Sequence, residues 1–328
     1  MKTYLDSLQY ILDNGEQRTD RTGVGTLGVF GMQQRYNLRD SFPAVTTKKL
    51  AFKSCLSELL WFIEGSSDER RLAEILHGTR DIEKKTIWTA NALSPEWQDR
   101  KSVFPKTVGL DVVVKGGGPD QTNELSAPDH DLGRVYGVQW RSWRKSIQFA
   151  SYSQYENTAD GFIKNPNPDY HVDQLLELIK GIKQDPTGRR HILSAWNPGE
   201  LDQMALPPCH CFAQFYVSSS GELSCQMYQR SCDMFLGVPF NISSYALLTH
   251  MIAQVCGLTV GDLVHVLGDA HIYLNHLEQV KEQLLREPLP APQLYINPDV
   301  KDIEKFTMDD FKLENYTSLG ALTAPMAV

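Results

Sequence analysis

No two cysteines in this 328-residue chain are spaced C-x-x-C. Cys55, Cys209, Cys211, Cys225, Cys232 and Cys256 therefore give no zinc-ribbon or thioredoxin-type motif. The default for a large chain is reduced thiols packed as small apolar groups. Any apolar run near the roughly 20 residues of a membrane span is also missing. The N-terminal MKTYLDSLQYILDNG carries Asp6 and Asp13 in an amphipathic pattern, which argues against a secretory leader and makes the cytoplasm the expected compartment. Positive charge is in deficit. A net charge of −8 argues against a nucleic-acid or anionic-membrane partner, yet leaves room for a small anion met by a few arginines. Repeats and low-complexity tracts are lacking, and no βαβ alternation is visible, which points to an α+β fold.

The elements that are present follow from periodicity. Tyr4, Leu5, Leu8, Ile11 and Leu12 mark a helix over 2–14 that Gly15 ends. GTLGVFGMQQRYNL reads as a glycine-interrupted strand. Leu50–Glu64 reads as a second helix, and Ser66 with Glu69 as the capping box of a third through Leu76. Residues about 77–170 are rich in Gly, Pro, Asn and Ser and read as a loop-rich insertion over a compact body. Val172, Leu175, Leu176, Ile179 and Ile182 mark another helix, ended by Pro186. RHILSAW, CFAQFYVSS and ELSCQMYQ read as strands, with Gly221 in a turn. Asn241–Cys256 and His271–Glu287 read as two long helices.

The stretch LPPCHC, Leu206 to Cys211, carries the chemical question. Three adjacent residues alternate in an extended strand, so Cys209, His210 and Cys211 make a poor tetrahedral chelate, and no metal is expected. Pro207 and Pro208 stiffen the chain before Cys209 and place it at a strand start. Arg189, Arg190 and Arg230 are candidate cations for a thiolate. The residues alone leave nucleophile and core thiol open. Arg21 precedes a glycine-rich turn whose N–H groups suit an anion, although a lone arginine is more often a solvated charge.

Longer motifs then add to this reading. LPPCHC, YQRSCDMFLGVPFNISSYALLTHM and LGDAHIYLNHLEQ resemble thymidylate synthase, as do DRTGVGT, FPAVTTKK, SELLWF, VYGVQWR, GRRHILSAWN and the terminal APMAV, all in the family's order. The resemblance implies one catalytic domain over 1–328, with a variable region at about 77–170 and a large mixed sheet at a two-fold dimer interface. It implies that Cys209 adds to C6 of dUMP, that 5,10-methylenetetrahydrofolate supplies the carbon and the hydride, and that dTMP and dihydrofolate leave. Arg21, Arg230 and Ser231 would hold the phosphate, with Arg189 and Arg190 reaching the partner's site. Arg230 would also lower the Cys209 pKa. His271 and Tyr273 would bind the 3′-hydroxyl. Asn241 would read the uracil edge, its bland alternative being a helix cap. Glu58 and Tyr136 would organise proton transfer. Trp88, Asp233, Lys48 and Val328 would meet the folate, and His210 would lie nearby.

The chain departs from the family pattern at Arg134, where proline is usual, at Thr89, where aspartate is common, and at Thr323, where lysine is expected. These positions are expected to border the folate side. A deoxypyrimidine hydroxymethylase and a non-catalytic nucleotide- or RNA-binding homologue are the rival readings. Asn241, rather than Asp, favours uracil, and the intact Cys209 and Glu58 argue against a non-catalytic chain.

Overall fold

The computed structural model describes residues 1–102, 129–144 and 171–326. Its helices are α1 (Lys2–Asn14), α2 (Phe52–Glu64), α3 (Glu69–His77), α4 (Thr89–Ala92), α5 (Pro95–Lys101), α6 (Tyr136–Arg141), α7 (Gln174–Gln184), α8 (Gly237–Cys256) and α9 (Leu277–Leu284). Its strands are β1 (Glu16–Arg18), β2 (Thr26–Asn37), β3 (Trp143–Arg144), β4 (His171–Val172), β5 (Ile192–Ser194), β6 (His210–Val217), β7 (Glu222–Asp233), β8 (Thr259–Tyr273), β9 (Gln293–Ile296) and β10 (Phe311–Glu314). A six-stranded sheet runs in the order β1-β2-β8-β7-β6-β5. It is antiparallel except for the parallel pair β7–β8, so the mixed sheet and the α+β class are as expected. No helix among the described residues is long and apolar enough to cross a membrane.

Helix α2 explains where the core sits. Every residue from Cys55 to Ile63 is buried, so this helix lies inside the molecule and carries Glu58 with it. Gly65 ends it in the left-handed region that favours glycine, at φ 72°. Helix α8 is buried nearly all round and packs on β7 and β8. Helix α1 buries Tyr4, Leu8 and Ile11 against β2.

Several expectations need correction. The third helix is capped by Asp68, whose carboxylate accepts from Arg70 N–H at 2.9 Å, rather than by a Ser66–Glu69 box. Asn241 does not open its helix, because α8 begins at Gly237 and takes Pro239 into its first turn. The span 271–287 is not one helix. His271 and Tyr273 end the 15-residue strand β8, a short turn follows, and only Leu277–Leu284 is α-helical. The region 77–170 is not all loop, since α4, α5 and α6 fall within it. Its Gly- and Pro-rich tracts at 103–128 and 145–170 lie outside the described residues.

Four adjacent strands break their alternation at one height. In β8, Leu263, His265 and Leu267 face the core, and then Ala270 and Ile272 do. In β7 the buried set Leu223, Cys225, Met227 and Gln229 gives way to Cys232. In β2, Leu27 and Val29 pack inward below Gly31, and Met32 above it, with Gly31 at φ 82°. In β6 the register shifts between His210 and Phe212. Opposite this level stand Arg230, Ser231 and Cys209.

Helix α6 seats Tyr136 against α2 by close backbone approach. A Cβ on Gly137 would lie 2.5 Å from Phe62 O and 2.7 Å from Phe62 Cα. Backbone cannot rotate away, so Gly137→Ala should destabilise the fold by about 2–3 kcal/mol, the upper part of the range for overpacking. Gly199→Ala meets only Asn197 Oδ1 at 3.6 Å and should change stability by less than about 0.5 kcal/mol. Urea unfolding of the two variants checks the contrast; equal midpoints would refute it.

Candidate active site

Cys209 is held from both sides. Its N–H donates to Tyr136 Oη at 2.7 Å, and its carbonyl accepts from Arg230 N–H at 2.8 Å. The Arg230 guanidinium donates from Nε to Pro208 O at 2.8 Å and from Nη2 to Pro207 O at 2.9 Å. Two prolines lack N–H groups but offer free carbonyls, and the guanidinium fork takes both. Below it lies the Trp196 ring, 5.3 Å away. Cys209 therefore sits just ahead of β6, as the proline reading expects, and it is half-buried while Cys211 is buried.

Burial pushes the Cys209 thiol above its ordinary range. Arg230 pulls it down, Asp233 pushes it up, and the Tyr136 hydroxyl pulls it down. Arg230 thus acts in the expected direction, but desolvation outweighs it and the thiol pKa is raised, not lowered.

A ring stack fixes Tyr136. The ring of His210 lies 4.1 Å from it at 24°, and Phe62 lies 4.9 Å away at 30°. Burial, helped by His265, pulls His210 down to about 3, so it is a neutral ring. His210 Nδ1 meets Tyr245 Oη at 2.9 Å. Tyr136 Oη accepts from the Cys209 N–H, and its hydroxyl also bears on the Cys209 thiol.

Glu58 is buried with one donor, Trp88 Nε1–H at 2.6 Å from Oε1. Burial raises its carboxyl to about 7, with the Trp88 bond restraining the rise. A group poised there can carry a proton at neutral pH. Trp88 is itself buried, edge-on to Tyr136 at 5.9 Å.

The end of β8 and the end of β7 form a second wall. Asp233 Oδ1 accepts from Phe235 N–H at 3.0 Å and Leu236 N–H at 3.1 Å. His271 Nδ1 lies 3.2 Å from Asp269 Oδ1, edge-on to Tyr273. Burial lowers His271, but the Asp269 bond and charge, with Asp233, outweigh it and its pKa is raised. Tyr273 is raised by burial, then by Asp233 and Asp20, with Arg21 opposing and Cys209 adding. These groups therefore sit within one electrostatic neighbourhood. Ser231 is half-buried in β7, and Asn241 is half-buried in the second turn of α8, its amide without a hydrogen bond to another described residue.

The remaining expected residues are less tightly gathered. Lys48 is buried. Its Nζ donates to Phe235 O and lies 3.6 Å over that ring, and burial lowers its pKa to about 8, against the pull of Asp233. Arg189 and Arg190 are exposed ahead of β5, and Arg190 borders a cavity of about 370 Å³ beneath α7 that does not include Cys209. Val328 lies outside the described residues. Thr89 and Arg134 are both buried against carboxylates: Thr89 Oγ1 donates to Glu69 at 2.7 Å, and Arg134 Nε to Glu200 at 2.5 Å. Sequence reasoning missed Tyr245, Trp196 and His276, which support the named residues. His276 lies inside the LGDAHIYLNHLEQ motif, and only its helical assignment hid it.

A family model for thymidylate synthase matches residues 2–328. The chain belongs to the thymidylate synthase family. In that family the substrate is dUMP and the carbon donor is a reduced folate. Among the described residues no group of three or more His, Cys, Asp and Glu side chains is placed to hold a metal ion.

The Glu58 pKa has a measurable consequence. A carboxyl raised on folding binds more protons in the native state, so its contribution to stability falls as pH rises from the ordinary glutamate range to about 7. Glu58→Gln removes that dependence. The variant should gain stability relative to the parent between about pH 4.5 and 7 and hold the gain above. Urea unfolding at pH 5, 6, 7 and 8 tests this, and parallel curves would show that Glu58 is not raised.

Proposed function

We propose that the protein carries out the reaction of its family's namesake, converting dUMP to dTMP, with 5,10-methylenetetrahydrofolate supplying the carbon and the hydride. The observation that carries this reading is the doubly tied Cys209 beside a buried glutamate that titrates near neutrality. A thiolate is a soft nucleophile that can also leave, which addition to a pyrimidine C6 and later expulsion both require. As the Sγ–C6 bond forms, the C5=C6 π pair moves toward O4. Tyr136 and Glu58 then move protons at the ring. Asn241 reads the uracil edge, donating to O4 and accepting from N3–H.

Arg21, Arg230 and Ser231 receive the phosphate, and His271 and Tyr273 the 3′-hydroxyl. Binding of a dianion at Arg230 would redistribute a guanidinium now held by Pro207 and Pro208. We assign Trp88, Asp233, Lys48 and Val328 to the folate. Asp233 suits a heterocycle with N–H donors, because both its amide contacts use Oδ1 and Oδ2 is left available. Lys48 would have to leave Phe235 O to meet a glutamyl tail. Six free cysteines accord with a reducing, cytoplasmic setting.

We further propose a two-fold homodimer through the sheet face turned away from α8. Phe30 is 85% exposed and Tyr216 64%, a large apolar area for a free surface. Arg189 and Arg190 then have a role that their own Cys209 does not give them: they would complete the partner's phosphate site.

Two experiments test these readings. Incubating the protein with dUMP and 5,10-methylenetetrahydrofolate should give dTMP and dihydrofolate absorbance. Cys209→Ser should lose more than about a thousandfold in turnover and keep dUMP binding, while Cys225→Ser stays active. Accumulation of 5-hydroxymethyl-dUMP by the intact protein would favour the hydroxymethylase instead. For the dimer, Cys209→Ser is mixed with the double variant Arg189→Ala/Arg190→Ala and subunits are exchanged. Each mixed dimer collects both lesions in one site, so about a quarter of all sites should regain activity. Mixed dimers without recovered turnover would remove the two arginines from the shared site.

A further inference from the structure

Glu69 opens α3, and its side chain is fully buried. Arg70 donates to it from Nε at 2.7 Å and from Nη2 at 2.6 Å, and His130 Nδ1 lies 2.9 Å from Oε2. The hydroxyls of Thr86 and Thr89 both donate to Oε1, at 2.6 and 2.7 Å. Burial pushes this carboxyl up, but the two hydroxyls, Arg70 and His130 outweigh it and hold it below the ordinary range. Glu69 is therefore ionised at neutral pH and can only accept.

That fixes the direction of both hydroxyls. Each has one proton, and the carboxylate takes it, so the lone pairs turn to the backbone. Thr86 Oγ1 accepts from Trp88 N–H at 3.1 Å, and Thr89 Oγ1 from Thr86 N–H at 2.8 Å. The turn that carries Trp88 into α4 is thus closed on Glu69. The Trp61 ring lies 6.2 Å from that of Trp88, and its Nε1–H donates to Asp68 O at 3.1 Å, so the start of α3 holds both indoles. The Trp88 Nε1–H reaches Glu58 Oε1 at 2.6 Å and is the only donor to Glu58 among the described residues. Cys55 on α2, Tyr136 on α6 and Tyr245 on α8 also face Glu58. Burial raises all three, so none titrates beside it near neutrality.

We propose that Glu69 is a positioning residue that, through the Thr86 and Thr89 hydroxyls, sets the Trp88 turn so that the indole N–H stays on Glu58. This deepens the thymidylate synthase reading above and rests on it. A neutral indole is the one group that restrains the burial-driven rise of the Glu58 carboxyl. Moving the ring by about 1 Å takes a 2.6 Å bond beyond hydrogen-bond length. Glu58 then keeps its proton to a higher pH and is a poorer base at neutrality.

Glu69→Gln keeps the volume and replaces one acceptor oxygen by an NH2 that faces other donors. Thr86→Val with Thr89→Val removes both hydroxyls at nearly constant shape, and Thr86→Ser with Thr89→Ser retains them. Two readouts need no turnover. The Trp88 indole N–H proton resonance, assigned by its loss in Trp88→Phe, should move upfield in Glu69→Gln and in the valine pair, and stay near wild type in the serine pair. The Glu58 carboxyl midpoint, followed by infrared titration and assigned by its loss in Glu58→Gln, should rise by about one pH unit in the same two variants. At neutral pH their kcat for dTMP should fall by about fivefold, with dUMP affinity within about twofold, and the acid limb of the kcat profile should move up with the Glu58 midpoint. The serine pair should keep most of the kcat. An unmoved indole resonance in folded Glu69→Gln overturns the proposal, and so does a moved resonance with an unmoved Glu58 midpoint. Equal losses in the serine and valine pairs overturn it as well. If Glu69→Gln does not fold, the valine pair gives the same comparison. If the wild-type protein makes no dTMP, the activity reading fails alone, because the resonance and the titration still decide the positioning.

Discussion

Side chains on neighbouring strands share a face only while their pleats stay in phase. In β2, β8, β7 and β6 the phase changes at one level, so the core above and below it is continuous while the strands bend together. A bend in one strand alone would strip ladder hydrogen bonds from its neighbours. Because all four bend, Arg230 turns back over Pro207 and Pro208, and Cys209 is delivered to the start of β6 with its amide aimed at Tyr136. The polar groups Ser231, Asp233 and His271 then emerge on the same side. Gly31 supplies the backbone freedom for the bend in β2, where a β-branched residue would be strained.

The wall around Cys209 is neutral and aromatic. His210 carries no charge, Tyr136 and Trp88 are buried rings, and Glu58 is largely balanced between its two forms at neutral pH. Charge is confined to Arg230 and to the Asp233–His271 wall. In such low-dielectric surroundings a single arginine has leverage on a thiol, yet here burial exceeds it. The cysteine is therefore held by its backbone ties to Tyr136 and Arg230, while burial and the Arg230 charge pull its thiol in opposite directions.

Much of this was legible from residues. Helix α2 was readable from its apolar run and its closing glycine, and the proline pair before Cys209 correctly marked a strand start. The errors have physical causes. Strand β8 escaped notice because Gly261 and Gly268 interrupt it and because His265, Asp269 and His271 put polar residues where a buried strand should read as apolar. His271, Leu274 and Leu277 fall at helical spacing and give a false helical period. Asn241 reads as a possible cap where the apolar run from Ile242 begins, but α8 starts earlier because Gly237 and Pro239 are tolerated in a first helical turn. Asp68 took the capping role from Ser66 because Glu69 has a different partner set, which no local pattern reveals. The family motifs supplied roles for single residues that spacing could not.

Among the described residues three glutamates are buried: Glu58, Glu69 and Glu200. Glu69 receives hydrogen bonds from Arg70, Thr86, Thr89 and His130, and Glu200 from Arg134 and Gln139, with Arg144 3.2 Å away. Burial raises both, but their partners outweigh it and both carboxyls end below the ordinary range. Glu58, also buried, receives one bond, from a neutral indole, and burial lifts it to about 7. Burial together with the number and charge of donors therefore separates a structural carboxylate from one that can exchange a proton. The same comparison accounts for two departures from the family pattern. Thr89 and Arg134 are donors to the two structural carboxylates, which tie residues 86–89 and 130–144 to the body on either side of Tyr136. Chain inserted outside those ties changes loop length at small entropic cost and need not disturb the tyrosine they hold.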